Sequence, residues 1–137
     1  MEGMSDLIHS ENDGSLSFGN YDLKEKKKLE DYSHEGDLYK VKTFSEMTKL
    51  ERNGMFVYES EPGTNVENFF ETNSEIRFQV KGTEDTEITL GLEEDADYEV
   101  LLDDVSSGNM KTNRSGKLTV SVELSEGKTV QVRIVKH

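Results

Sequence analysis

Three histidines are the side chains of this chain that titrate nearest to neutral pH, and they stand far apart, at His9, His34 and His137. No two of them have the spacing of metal ligands, and each is more typical of a surface histidine than of a ligand. The chain contains no cysteine, which excludes disulfides and thiolate chemistry. These residue types therefore predict neither a metal site nor a cofactor.

Carboxylates are abundant and cluster at Glu84-Asp85, Glu93-Glu94-Asp95 and Asp103-Asp104. Such clusters could indicate a Ca²⁺ site or, as a pair across a cleft, glycoside hydrolysis. They lack the alternating oxygen ligands and the closing glutamate of a dedicated Ca²⁺ loop. A chain with 29 acidic residues also offers carboxylate pairs by chance. Turn formation and solubility explain the clusters better.

The elements that would position these groups are predicted by alternating apolar residues in the last third of the chain, residues 86–136. Alternate positions of a strand place their side chains on one face. Two runs have this pattern: Leu118, Val120, Val122 and Leu124, then Val130, Val132 and Ile134. A turn-forming cluster, Ser-Glu-Gly-Lys, separates them. The pattern predicts an antiparallel hairpin of residues 117–124 and 129–135 with one apolar face.

The same alternation predicts further strands at residues 15–18, 37–44, 55–59, 66–70, 76–80, 87–92, 98–102 and 105–111. Residues 45–50 fit either one helical turn capped by Ser45 or an extended segment. The spacing of strands and turns predicts an all-β, antiparallel sandwich of the immunoglobulin-like or fibronectin-like type in residues 66–137. We expect residues 1–65 to form a β-rich extension or a small subdomain.

Leu92 precedes Tyr98 by the spacing of the tyrosine corner found in Greek-key sandwiches. In that corner the tyrosine hydroxyl hydrogen-bonds to backbone a few residues upstream. Tyr98 could alternatively contact a ligand. The structural role explains the residue better, because a partly buried tyrosine needs a partner for its hydroxyl group.

Three segments of the last third resemble the small β-sandwich tails of bacterial polysaccharide-degrading enzymes: YEVLLDD from residue 98, MKTNRSGKLTVSV from residue 110 and GKTVQVRI from residue 127. Together with DLIHSENDG from residue 6, GDLYKVKTF from residue 36 and NGMFVYES from residue 53, they are similar to a group of short Clostridia-type proteins often labelled endosialidase. The first resemblance implies a carbohydrate-binding accessory module.

The endosialidase label implies a cluster of arginines on the substrate carboxylate and a tyrosine nucleophile. The four arginines of this chain are scattered, and no motif of that kind surrounds them: Arg52, Arg77, Arg114 and Arg133. We therefore expect that the protein is not an enzyme. Two or more arginines meeting a tyrosine in one pocket would argue against this expectation.

Net charge limits the classes of partner. The 137 residues carry a net charge of −13, which argues against nucleic acids, anionic membranes and, less strongly, polyanionic glycans. The basic cluster at residues 24–28 could meet an acidic partner, although a solvated loop explains it better. The first residues resemble neither a signal peptide nor a membrane span, so a cytoplasmic location is the default. Delivery to a surface or with a phage stays open.

We expect a structural or self-associating protein, because the edges of an open sandwich can pair with another chain. Leu7 and Ile8, in the polar N-terminal segment, are the candidates for docking on a neighbour as an added strand. The alternative is a glycan-binding module, which needs exposed aromatic side chains. The candidates for that role are Tyr32, Tyr39, Phe56, Tyr58, Phe69 and Phe70. Alternation predicts that most of these six belong to the core.

Overall fold

The computed structural model describes residues 7–137, and within them it contains thirteen strands and no helix. The strands are β1 (Ile8–Ser10), β2 (Leu16–Phe18), β3 (Lys27–His34), β4 (Asp37–Phe44), β5 (Met47–Arg52), β6 (Met55–Glu61), β7 (Asn65–Glu71), β8 (Glu75–Lys81), β9 (Thr86–Gly91), β10 (Asp97–Leu102), β11 (Val105–Lys111), β12 (Lys117–Val122) and β13 (Thr129–Lys136). No helix in this part of the chain could cross a membrane.

The strands form two antiparallel sheets. The seven-stranded sheet has the order β1-β2-β7-β8-β13-β10-β11, and the six-stranded sheet has the order β12-β9-β6-β5-β4-β3. Aromatic rings join the two inner faces: Tyr58 of β6 lies 5.2 Å from Phe18 of β2 and 5.7 Å from Phe78 of β8, in both cases edge to face. The predicted all-β antiparallel sandwich is confirmed.

One hydrophobic core lies between the sheets. In β12 the buried residues Leu118, Val120 and Val122 alternate with exposed polar ones, and β13 has the same pattern. This alternation buries one face of each strand and leaves the other in water. A buried network of hydroxyl groups crosses the core, in which Thr64 hydrogen-bonds to Tyr58 at 2.8 Å and to Ser60 at 2.7 Å. Burial raises the pKa of Tyr58 strongly, so this hydroxyl stays protonated.

The predicted hairpin of residues 117–124 and 129–135 is wrong in its pairing. Both segments are strands, but β12 pairs with β9 in the six-stranded sheet, whereas β13 lies between β8 and β10 in the other sheet. Residues 123–128 cross from one sheet to the other. A hairpin would turn both apolar faces the same way, and the crossing instead turns them toward each other across the core, which buries both faces.

The N-terminal segment belongs to the same core as the rest of the chain. Leu7 and Ile8 are buried, β1 pairs with β2, and β2 pairs with β7. In the other sheet β6 lies between β5 and β9. Strands from both sides of the expected boundary at residue 65 therefore occur in both sheets, and this boundary does not separate one sheet from the other.

The structure defines two segments of the six-stranded sheet that the sequence pattern left open or did not predict. Residues 47–52 are extended as β5, which decides between the helical turn and the extended segment. The strand β3 has no apolar alternation, because most of its side chains are exposed at the edge of the sheet. Pairing with β4 alone defines β3 as a strand. The turn between β5 and β6 contains Asn53 and Gly54, both with positive φ, as the Asn-Gly sequence predicts.

Tyr98 stabilises the segment that connects β9 to β10, two strands that lie in different sheets. The backbone N–H of Glu93 donates a 3.2 Å hydrogen bond to the Tyr98 hydroxyl, and the Tyr98 side chain is buried. The Thr112 hydroxyl donates to the Glu93 carbonyl at 2.6 Å. These bonds satisfy backbone groups where the chain changes sheets, which is the structural role expected from the spacing of Leu92 and Tyr98.

Candidate functional sites

A cavity of about 620 Å³ opens at one end of the sandwich, between the two sheets. Its walls come from the β1–β2 turn, the β3–β4 turn, the end of β5 and the β7–β8 loop. We call it the end pocket. Its lining includes Asp13, His34, Glu35, Asp37, Tyr39, Arg52, Phe69, Phe70, Glu71 and Asn73. The structure thus brings three of the six aromatic candidates, Tyr39, Phe69 and Phe70, into the lining of one cavity.

An ion pair joins the two sheets at this end. The Arg52 guanidinium of β5 donates a 2.7 Å hydrogen bond to the Glu71 carboxylate of β7. A second cavity, of about 580 Å³, lies beyond this pair and shares both residues. Burial lowers the pKa of Arg52, but the bond and charge of Glu71 outweigh this and raise it. Arg52 is thus a fixed cation whose charge Glu71 already matches.

The aromatic side chains of the end pocket line its base and present no open ring face on which a sugar could stack. Tyr39 and Phe69 are buried, and the Phe69 ring stacks on Phe78 of the core at 5.6 Å. Phe70 is half-buried, with the Arg77 guanidinium over its face at 5.1 Å. A sugar ring that stacks on an aromatic side chain needs an open ring face. Buried Tyr39 and Phe69 cannot offer one, and Arg77 covers Phe70.

The other three aromatic candidates lie elsewhere. Tyr58 is fully buried in the core, so its assignment as a ligand contact is wrong. Tyr32 is half-buried on β3, and its hydroxyl lies 3.0 Å from the Ser10 hydroxyl. Phe56 lines the second cavity and has Lys117 over its face at 4.7 Å. The six residues do not form one surface.

A hydrogen-bonded serine and histidine stand beside the end pocket. The Nε2–H of His34 donates to the Gly14 carbonyl at 3.1 Å. This leaves Nδ1 to accept a 2.7 Å hydrogen bond from the Ser10 hydroxyl. The atoms are those of a nucleophile and its base. Their structural effect is to tie the β1–β2 hairpin to β3 across the sandwich. Sequence patterns missed the pair, because Ser10 and His34 are 24 residues apart.

Two arginines meet on the outer face of the seven-stranded sheet. Arg77 of β8 and Arg133 of β13 are directly opposite each other and line a depression of about 500 Å³. Arg133 donates to Glu75 at 2.7 Å. No tyrosine lines this depression. None of the three cavities described here combines two arginines with a tyrosine, and among residues 7–137 no group of three or more histidine or acidic side chains could hold a metal ion.

The strand β11 forms an open edge. It ends the seven-stranded sheet, pairs only with β10 among the described residues, and all seven of its side chains are exposed. Val105 is opposite Leu102 and Met110 is opposite Tyr98, so both point toward the inner face. They are nevertheless 68% and 38% exposed. The six-stranded sheet has one strand fewer and ends at β12, which leaves the inner side of β11 uncovered.

The predicted docking segment is engaged within its own chain. Leu7 and Ile8 are 7% and 4% exposed, and the Leu7 carbonyl accepts a 2.9 Å hydrogen bond from the Gly19 N–H. The assignment of these two residues to an exposed docking segment is therefore wrong. Their apolar side chains find a site in the core of the same chain, so the hydrophobic effect holds them there.

Comparison of the chain with protein-family models, curated proteins and solved structures found no match in any of the three.

Proposed function

We propose that the protein is a non-catalytic β-sandwich that self-associates through β11. The observation that carries this proposal is the open edge of β11, with its uncovered inner face. An edge strand presents unpaired backbone N–H and C=O groups that a second strand can pair with. Val105 and Met110 add apolar surface that pairing would remove from water.

The distribution of charge favours self-association at the β11 edge over the other edges of the sheets. Residues 105–110 carry no formal charge in a chain with a net charge of −13. Residues 118–122 of β12, on the same side of the sandwich, also carry none. On the opposite side, β3 carries Lys27, Lys28, Glu30 and Asp31, and β1 has only three residues. Two copies therefore meet with the least electrostatic repulsion at the β11 side.

If two copies pair through β11 about a two-fold axis at the middle of the strand, each residue of one β11 has a defined partner in the other. Antiparallel pairing of two copies places Val105 opposite the partner's Met110, and Met110 opposite the partner's Val105. Both side chains are on the inner face, so the pairing forms two apolar contacts, one near each end of the paired strands. The same register places Lys111 opposite the partner's Asp104, an ion pair formed twice. Apolar and charged groups thus favour one register, which is how strand pairing acquires specificity.

The bulge in β11 limits further growth. The β10–β11 register shifts by one residue, and Gly108 has a φ of 101°. A bulge twists an edge away from flat pairing. In the proposed dimer the two bulges face each other at the centre. The remaining edge of the seven-stranded sheet is the short β1, so the assembly closes as a dimer and does not extend as a fibre.

Analytical ultracentrifugation from about 10 µM to about 1 mM tests the proposal, a range that covers association free energies of roughly 4 to 7 kcal/mol. We expect a monomer–dimer equilibrium that Met110→Glu abolishes, because a carboxylate would then face the partner's Val105. The control Gln131→Glu adds the same charge on the exposed face of central β13 and should leave the dimer intact. A monomer throughout the range, or a dimer that Met110→Glu does not weaken, would refute the proposal.

The non-catalytic part of the proposal is supported by the distribution of arginines in the three cavities described above: the end pocket and the second cavity share the single arginine Arg52, and the depression lined by Arg77 and Arg133 contains no tyrosine. It is supported further by the Ser10 hydroxyl, which lies between Tyr32 and His34 and does not line the end pocket. The relation to endosialidase-labelled proteins stays a prediction.

A further inference from the structure

Three lysines lie in one row on the outer face of the six-stranded sheet. Lys28 of β3 is directly opposite Lys42 of β4, which is directly opposite Lys49 of β5. Tyr39, Val41 and Thr43 of β4 are buried, so the lysine between the last two points outward. Residues directly opposite in antiparallel strands share a face. The strand register therefore places three ammonium groups side by side, although they are far apart in the sequence.

The three lysines of this row repel one another, and the composition of the chain would not lead one to expect them side by side. Like charges directly opposite each other destabilise a sheet. Acidic residues outnumber basic ones by 29 to 16, so an acidic neighbour would be the more frequent outcome for each lysine. Glu51 lies 3.8 Å from Lys49, and within the described residues Lys28 and Lys42 make no ion pair within 4.0 Å. The row is thus a local concentration of poorly matched positive charge.

Phenylalanine rings lie beneath the ammonium groups of lysines in the row and beside it. The Lys26 ammonium lies 5.7 Å from the Phe44 ring centroid, and Lys49 and Lys117 lie 5.9 and 4.7 Å from that of Phe56. Gly91 packs closely against Phe56, because a Cβ atom there would collide with the Phe56 carbonyl oxygen and lie 3.1 Å from its ring. The rings hold ammonium groups above the sheet by cation–π attraction. The same contacts occupy the ring faces, so bases or uncharged sugars cannot stack on them.

We infer that this face, which we call the lysine face, binds a carboxylated polysaccharide whose chain crosses the strands along the row. Neighbouring strands lie about 4.8 Å apart, so the three lysines present one charge at each interval of roughly that length. One sugar unit of an extended chain has a similar length, so a polymer with one carboxylate per sugar presents carboxylates at an interval that the long, flexible lysine side chains can meet. The flat face accepts such a chain without a groove.

The chemistry of the row favours a carboxylated glycan over nucleic acid. Lysine is a compact point charge suited to single carboxylates, whereas the forked guanidinium of arginine suits bidentate contacts to phosphate. The row contains no arginine. The ring faces that could stack with bases are covered by Lys26, Lys49 and Lys117. Glu59 continues the row beyond Lys49 and limits it to three cations, which is few for a nucleic-acid backbone.

Repulsion from the rest of the molecule does not prevent this binding. The net charge is −13, but exposed charges separated by more than about 8 Å are largely screened at physiological salt. A ligand on the outer face of β3, β4 and β5 therefore interacts mostly with the lysine face. The interaction should weaken as salt increases, because it depends on exposed ion pairs.

Isothermal titration with an oligogalacturonate, with its uncharged methyl ester as matched ligand, tests the inference. We expect the acid to bind at about 20 mM salt, the ester not to bind, and about 200 mM salt to weaken the binding. Lys28→Gln, Lys42→Gln and Lys49→Gln together should reduce affinity by about tenfold, since three exposed ion pairs are lost. The control Lys81→Gln, Arg114→Gln and Lys128→Gln makes the same change in net charge elsewhere and should bind like the original chain.

Three results would overturn the inference: no binding of the acid, equal losses in both triple variants, or tighter binding of a single-stranded oligonucleotide than of the oligogalacturonate. Far-ultraviolet circular dichroism of both triple variants controls for folding. The variant Met110→Glu should retain full binding, because β11 lies on the other sheet and at the opposite side of the sandwich. The test is therefore independent of self-association.

Discussion

Single side chains in this protein mostly act by tying the two sheets together. The Tyr98 hydroxyl accepts the Glu93 N–H where the chain leaves β9 for β10, and His34 links β3 to the β1–β2 hairpin. Arg52 does the same at the end pocket through Glu71. A sandwich without disulfides depends on such bonds where strands change sheets, because the backbone groups at crossings have no ladder partners.

Replacing Tyr98 by phenylalanine should reduce the free energy of unfolding by about 1 kcal/mol or more, because the partly buried Glu93 N–H loses its acceptor. Urea unfolding measured by circular dichroism gives this difference. Tyr21→Phe is the matched control, since the Tyr21 hydroxyl makes no hydrogen bond within the described residues. Equal stability of Tyr98→Phe and the original chain would argue against the tyrosine corner.

Replacing Gly63 by alanine should destabilise the fold by about 3 kcal/mol, because the new Cβ would lie 2.0 Å from the Phe44 carbonyl oxygen and a backbone must move. Gly82→Ala is the control. Its Cβ would lie 3.1 Å from the end of the Leu124 side chain and at ordinary contact distance from Thr64 and the Gly63 carbonyl oxygen, so a small effect is expected. Thermal unfolding of both variants decides the matter, and similar melting temperatures would contradict the close approach of the two backbones.

A fluorophosphonate probe should not label Ser10, although its hydroxyl donates to His34. The hydroxyl also lies 3.0 Å from that of Tyr32, so its position is set by structural bonds and not by a substrate. Mass spectrometry of the treated protein measures labelling. Labelling at Ser10 that His34→Ala abolishes would show an activated nucleophile and refute the non-catalytic proposal.

At the scale of elements, the edges of the sheets differ in ways that determine what they can do. The edge β3 is charged and carries one end of the lysine row, whereas β11 is uncharged and pairs with β10 alone. Glu99 of β10 helps to hold β11, because a hydrogen bond from Ser106 lowers the pKa of the Glu99 carboxyl, with a further contribution from His137. The ionised Glu99 carboxylate therefore adds one contact to the backbone pairing that attaches β11 to β10.

Acidification should loosen β11. Because the folded pKa of Glu99 is depressed below its ordinary value of 4.5, its contribution to stability is present above that pH and is lost as the pH falls through the folded pKa. The protection factors of the β11 amides, which correct the exchange rates for the intrinsic effect of pH, should therefore fall below about pH 4.5. In Glu99→Gln this pH dependence should be reduced. An identical pH profile in both proteins would argue against the Glu99–Ser106 bond.

At the scale of the whole molecule, the chain forms one sandwich in which no long segment is independent. The strand β6 completes the six-stranded sheet between β5 and β9, and β2 covers β7 in the other sheet. Apolar residues from both halves of the sequence share one core. Charge is unevenly distributed over the whole molecule. The chain is strongly acidic, yet one face carries a row of lysines and the β11 edge carries no formal charge.

The fragment of residues 66–137 should not fold by itself. Removing residues 1–65 uncovers β9 on one side and β7 on one side, and it removes the strands that cover the inner face of the larger sheet. Proton–nitrogen correlation spectra of the fragment should lack the dispersion that the full chain has. A well-dispersed spectrum of the fragment would support an independent domain with its boundary at residue 65.

The sequence by itself determined most of the strands and their inward faces, because apolar alternation is local: β12 and β13 have the predicted faces. It also indicated the Tyr98 corner and named six aromatic candidates, of which the structure places Tyr39, Phe69 and Phe70 in the lining of the end pocket. Charge patterns indicated an acidic molecule, but not where its cations gather.

Only the tertiary structure decided which strands are neighbours, because alternation says which face is buried and not which partner lies beside it. It separated β12 from β13, placed Leu7 and Ile8 in their own core, and brought Ser10 to His34. The lysine row exists only through the register of β3, β4 and β5. Long-range pairing maximises burial over the whole chain, and no local window of sequence contains that information.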